Sequence, residues 1–160
     1  MNAAHLHLML NHVPLFAIVF GSGILLFGWL RASGLAARMG CVLFVLAGVA
    51  AGGTYLTGEG AEEVIEGQPG VVHSFIESHE AVAFYALIVS IVLAVGALGA
   101  LVIYRKGAMP GGVSGTLLVV ALVALGTMAY TANTGGKINH PELRTNVSAA
   151  PQSGDEHGED

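Results

Sequence analysis

Seven histidines and eleven acidic residues are the side chains of this 160-residue chain that could do chemistry. His5, His7 and His12 open it, and His73 and His79 lie in the middle among Glu59, Glu62, Glu63, Glu66, Glu77 and Glu80. His140 and Glu142 come later, followed by His157 with Asp155, Glu156, Glu159 and Asp160. Imidazole and carboxylate are the ligand types that hold iron, copper, zinc or manganese, and neutral imidazole is available at pH 7 without a deprotonation cost. The single cysteine, Cys41, excludes within one chain a disulfide, a Cys-x-x-Cys zinc site and the Cys-x-x-Cys-His attachment of c-type haem. A net charge of −5 with no basic footprint excludes nucleic-acid binding.

What must position these groups is a set of four apolar runs, Pro14 to Leu30, Met39 to Leu56, Ala81 to Ile103 and Val113 to Tyr130, none with an Asp, Glu, Lys, Arg or His inside. Each is long enough for a helix to cross roughly 30 Å of hydrocarbon at about 1.5 Å per residue. A composition that is 54% hydrophobic and 11% charged, with mean hydropathy +0.70, does not fit inside a soluble core of this size. The expected fold is all-α, an integral membrane four-helix up-down bundle of residues 1–144 with spans at about 14–31, 39–57, 79–104 and 112–132. Four of the six basic residues, Arg31, Arg38, Arg105 and Lys106, lie in the two tight connections, which places those on the cytoplasmic side. Every histidine and every acid then lies on the other side, periplasmic in a bacterial inner membrane, together with both termini. No Lys or Arg precedes the first run, so that span is expected to be retained rather than cleaved as a signal.

Local signals refine the picture. Asn11 and Pro14 mark the start of the first span near His12. Glu59, Glu62, Glu63 and Glu66 recur at helical spacing and predict a short amphipathic helix in the outer loop, stopped by Gly67-Gln68-Pro69-Gly70. Ser74 to Glu77 reads as a capping box opening the third helix, which carries His79 and Glu80 about a turn outside the hydrocarbon. Ala83, Ala86, Ser90, Ala94 and Ala97 form a small-residue stripe in register with His79, and Gly48 and Gly52 give the second span a packing face. Gly135-Gly136 is read as the end of the fourth helix, and the segment from Lys137 to Glu142 as folding back over the mouth. Residues 145–160 read as a disordered acidic tail. The sequence displays no internal repeat and no second domain.

An up-down order gathers the starts of helices one and three and the ends of two and four at one mouth, where bundles build cofactor sites. The expected function is a membrane electron-transfer subunit binding a redox centre there, with b-type haem the favoured group. His12 and His79 are the axial candidates and His7 and His140 the substitutes. Tyr55, Tyr85 and Tyr130 are candidate propionate partners, and Glu62, Glu63 and Glu80 tune the centre or relay protons. The alternative is a non-haem iron, copper or zinc site of His12, His79, His140 and a glutamate from Glu62, Glu63 and Glu80, in a metal handler or metal-dependent enzyme. A third reading is a structural subunit of a membrane complex. Beyond the lipid bilayer, the expected partners are other membrane or periplasmic redox subunits, linking the quinone level to a cytochrome or iron–sulfur protein.

The opening Leu6-His7-Leu8-Met9-Leu10-Asn11-His12-Val13-Pro14 resembles that of a widespread group of small four-helix bacterial inner-membrane proteins of unknown function, whose first helix starts His, four residues, His, any residue, Pro. A histidine opening the third helix, here His79, and a Gly-Gly pair with a following histidine, here Gly135, Gly136 and His140, extend the resemblance over most of residues 5–142. The chain departs from the group in lacking a Pro directly after His7 and in the shorter gap from Gly136 to His140. Members of that group are associated with Rieske-type and cytochrome domains, so the resemblance implies redox work at the outer membrane face.

Overall fold

The computed structural model describes residues 2–144, so the expected disordered tail lies outside the described residues. Six helices follow one another: α1 (Ala3–Leu10), α2 (His12–Leu30), α3 (Gly34–Leu56), α4 (Gly58–Ile65), α5 (His73–Ile103) and α6 (Gly111–Asn139), then a 3-10 turn at Pro141–Leu143. No strand occurs among the described residues. Four helical stretches are long and apolar enough to cross a membrane: Ala3–Leu30, Gly34–Ile65, His73–Ile103 and Gly111–Asn139. Their outward faces carry large apolar side chains, among them Phe20, Phe27, Leu46, Val95 and Leu122, in a density that suits contact with lipid and not with water.

The core they enclose is narrow and lined by small groups. Ile18, Leu25, Cys41, Phe44 and Leu93 are its large buried members, set among Ala37, Ala47, Ala97, Ala121 and Ala124. With lipid tails as apolar as any leucine, helices here associate through close packing, for which small residues are required. A Cβ on Gly40 would meet the Gly21 carbonyl oxygen at 2.8 Å, and one on Gly48 would overlap the Ala94 methyl. These two contacts draw α3 against α2 on one side and against α5 on the other. The stripe under His79 is thus filled by α3 and leaves no slot for a flat ring at that depth.

Three local expectations are corrected. Helix α5 starts at His73 behind Val72 with no side-chain cap, so Ser74 to Glu77 forms no capping box and Ser74 offers its carbonyl to the Ser78 hydroxyl at 2.8 Å. Asn11 makes no cap bond either; Asn2 caps α1 by accepting from the His5 N–H at 2.9 Å. Gly135 and Gly136 do not end the last helix, which continues to Asn139.

The break between α1 and α2 has a chemical cause. Pro14 has no N–H to give the Leu10 carbonyl one turn earlier. That carbonyl accepts instead from Thr54 Oγ1 of α3 at 3.2 Å, which holds the end of α1 against α3.

The buried positions also disclose an internal duplication that the residue types conceal. The buried set of α2, Pro14, Ile18, Gly21, Leu25 and Gly28, recurs at one fixed offset in α5 as Ala86, Ser90, Leu93, Ala97 and Ala100. That of α3, Ala37, Gly40, Phe44 and Ala47, recurs at a second offset in α6 as Ser114, Leu117, Ala121 and Ala124. His7 and His79 stand at the first offset, and Thr57 and Thr134 at the second. The two hairpins thus share a pattern of buried positions, although Cys41, Gly48 and Ala51 of α3 have no buried counterpart in α6.

Candidate functional site

Each copy holds one imidazole in the same way. His7 of α1 is half-buried, and its Nδ1 lies 3.1 Å from the Thr54 carbonyl oxygen and 3.1 Å from Thr57 Oγ1. His79 of α5 is half-buried, with Nδ1 3.1 Å from the Thr131 carbonyl oxygen and 3.3 Å from Thr134 Oγ1. In both copies the second threonine hydroxyl donates to the carbonyl of the first, at 2.7 Å for Thr57 to Thr54 and 2.9 Å for Thr134 to Thr131. The local sequence responsible is Thr-x-x-Thr-Gly, as Thr54-Tyr55-Leu56-Thr57-Gly58 and Thr131-Ala132-Asn133-Thr134-Gly135.

A helical spacing of three puts the first carbonyl and the second hydroxyl side by side on one face, and the glycine after them clears the space that the ring enters. A Cβ on Gly135 would lie 3.0 Å from His79 Cε1, while one on Gly58 would lie 3.9 Å from His7 Cε1. Among the described residues, neither Nε2 has a hydrogen-bond partner.

The other expected residues fall elsewhere. His12 is exposed, its Nδ1 turned to the Leu8 carbonyl of the preceding turn at 3.1 Å and its ring stacked on exposed Phe16. It belongs to an outer ladder continued by Phe20, and Val19 and Gly23 below it are exposed as well. His140 is exposed and pairs with Glu142 at 2.8 Å. The Glu142 carboxyl is held below the usual carboxylate range by its own backbone N–H and by the His140 ring. Burial, and then the neighbouring Glu80 carboxylate of α5, push the Glu62 carboxyl of α4 above the usual carboxylate range. His73 lies 3.9 Å from Glu62, 3.9 Å from Glu66 and 3.5 Å from Glu77. Glu63 is exposed, and Tyr55, Tyr85 and Tyr130 are exposed near the same end.

The site of His12, His79, His140 and a glutamate expected from the sequence is therefore not brought together. Among the described residues no three His, Cys, Asp or Glu side chains are grouped to hold a metal ion. What the structure shows instead is one imidazole held in the same way in each hairpin, His7 and His79, at the same end of the bundle.

The segment after α6 does fold back. Arg144 donates to the carbonyls of Lys137 at 2.8 Å, Ile138 at 2.7 Å and Gly70 at 3.0 Å, and its guanidinium lies 4.8 Å from the Phe75 ring centre. This ties the end of α6 to the loop before α5, beside the imidazole pair.

Thr54 and Thr57 were absent from the residues singled out in the sequence, and Thr131 and Thr134 entered only as polar residues at a wet helix end. The recurring Thr-x-x-Thr-Gly, one copy closing each half behind a histidine-bearing helix, is the signal that would have found them. Compared with known protein families, curated proteins and solved structures, the chain shows no significant match.

Proposed function

We propose that this protein is an electron-transfer subunit of a bacterial inner membrane, an up-down bundle that holds b-type haem at its histidine end with His7 and His79 as the axial pair. The observation that carries this reading is that each imidazole has Nδ1 bonded to helix oxygens and Nε2 free, the arrangement in which a ligating histidine is oriented by its outer hydrogen bond. The donor set suits the group in kind: two imidazole nitrogens at one end of the bundle, each ring beside a glycine. When bound, the haem would supply a one-electron couple. The protein's part would be to hold both rings in place, each fixed through Nδ1 by a threonine carbonyl and hydroxyl.

The basic residues at the opposite end, Arg31, Arg38, Arg105 and Lys106, support a cytoplasmic placement of that end and a periplasmic one for the histidines. The amphipathic α4 then lies in the outer loop. The resemblance to small membrane proteins that accompany Rieske-type and cytochrome domains supports a redox partner at the same face. The test is the reduced-minus-oxidised spectrum of the purified protein in detergent. A low-spin b-type band is expected, lost in His7→Ala and in His79→Ala and kept in His12→Ala and His140→Ala. Wild-type protein without such a band after haem supply would end the proposal.

A further inference from the structure

We infer that Thr57 and Thr134 are positioning residues that hold His7 and His79 in one tautomer, protonated at Nδ1, so that the two copies present matched Nε2 lone pairs to a single shared centre. The inference rests on the proposed ligand role of the two histidines for its last clause only.

The argument follows the protons. A carbonyl oxygen can only accept, so the Thr54 and Thr131 carbonyls, 3.1 Å from the ring nitrogens, favour a protonated Nδ1 but, already served by the threonine hydroxyls, do not secure it alone. A threonine hydroxyl can donate or accept, but those of Thr57 and Thr134 already give their single hydrogen to the same carbonyls. Each therefore faces its imidazole with lone pairs alone. Both neighbours of Nδ1 are acceptors, and the ring proton must reside there. In the neutral imidazole that leaves Nε2 as the bare nitrogen, the form a metal takes without displacing a proton.

Thr57 and Thr134 occupy equivalent places in the duplicated hairpin, as do the histidines, and the glycine after each threonine faces the ring. A device built twice on separate hairpins, at the same end of the bundle and with the same ring nitrogen left open in each, is suited to one ligand held between them.

The full chain, labelled with 15N at histidine and held in detergent without added haem, tests the first clause through long-range proton–nitrogen correlation at a pH where the rings are neutral. His7 and His79 are expected to show a protonated Nδ1 and a bare Nε2. Thr57→Val should mix the tautomers of His7 alone, Thr134→Val those of His79 alone, and Thr57→Ser and Thr134→Ser should restore each. A protonated Nε2 at either ring in the wild type overturns the inference, whether or not the valine variants fold. So does a folded valine variant whose tautomer is unchanged.

Titration of haemin then tests the second clause. One equivalent per chain is expected, with affinity lowered roughly 10- to 100-fold by either valine substitution and recovered with serine. Two equivalents per chain would overturn the shared centre. No haemin binding with the expected tautomers would sink the electron-transfer reading and leave the tautomer assignment supported; haemin binding with the wrong tautomer would do the reverse.

Discussion

Among single residues, Gly135 shows how a position's apparent meaning depends on what lies across from it. In the sequence a Gly-Gly pair after a long apolar run reads as a helix terminus, since glycine adopts the conformation that ends helices. In the structure the helix runs on, and the missing Cβ is what admits the His79 ring. Gly135→Ala would set a methyl 3.0 Å from His79 Cε1, so the ring must shift away from Thr134. Haem affinity is expected to fall about tenfold, on the scale of losing an outer-shell contact to a ligand. Gly58→Ala, with 3.9 Å available at His7, is expected to bind as the wild type does. Haemin titration of the two variants side by side measures the contrast. His79 was legible as a candidate because it sits alone at the opening of a long apolar helix. His12 was preferred to His7 because Asn11 and Pro14 were read as starting the span at His12, whereas the helical path runs back through α1 and brings His7 onto Thr54 and Thr57.

Single elements are where the sequence spoke most clearly, because a charge-free run of membrane length admits few alternatives to a helix. It was silent on the break that sets His7 in place. Pro14→Ala would return an N–H to the Leu10 carbonyl in competition with the Thr54 hydroxyl, and so loosen the contact that sets the end of α1, and His7 with it, against α3. The expected result is unchanged or slightly greater helicity by circular dichroism with loss of most of the b-type band. A variant that keeps the full band would show that the break has no part in presenting His7. Helix pairing gives a second prediction. Gly48 lies against Ala94 and the Ser90 carbonyl oxygen, so Gly48→Leu must push α3 from α5. A cost of about 1–3 kcal/mol, the usual range for overpacking, is expected as a lowered thermal midpoint in detergent.

In the molecule as a whole, the duplication accounts for both the position of the imidazole pair and its invisibility in sequence. Buried positions repeat while the residues filling them trade volume: Gly40 answers to Leu117, Gly21 to Leu93 and Phe44 to Ala121. A bulky side chain in one copy stands where its counterpart has none, so the fold is kept while similarity is erased. The histidine and Thr-x-x-Thr-Gly are kept in both hairpins, because an imidazole needs both oxygens and the gap beside them. Placement across the membrane gives a further test. In a Cys41→Ser background, cysteines introduced at Gln68 and at Gly107 are expected to react from opposite faces of sealed inner-membrane vesicles, Gln68 from the periplasmic one. Labelling of both from one side would refute the single crossing by α5 between them and the orientation with it.

The two copies differ in one mechanical respect. Proline removes one rung of the helical ladder beneath His7 and none beneath His79, which stands on an uninterrupted helix. Exchange of backbone amides with solvent is therefore expected to be faster around His7 than around His79.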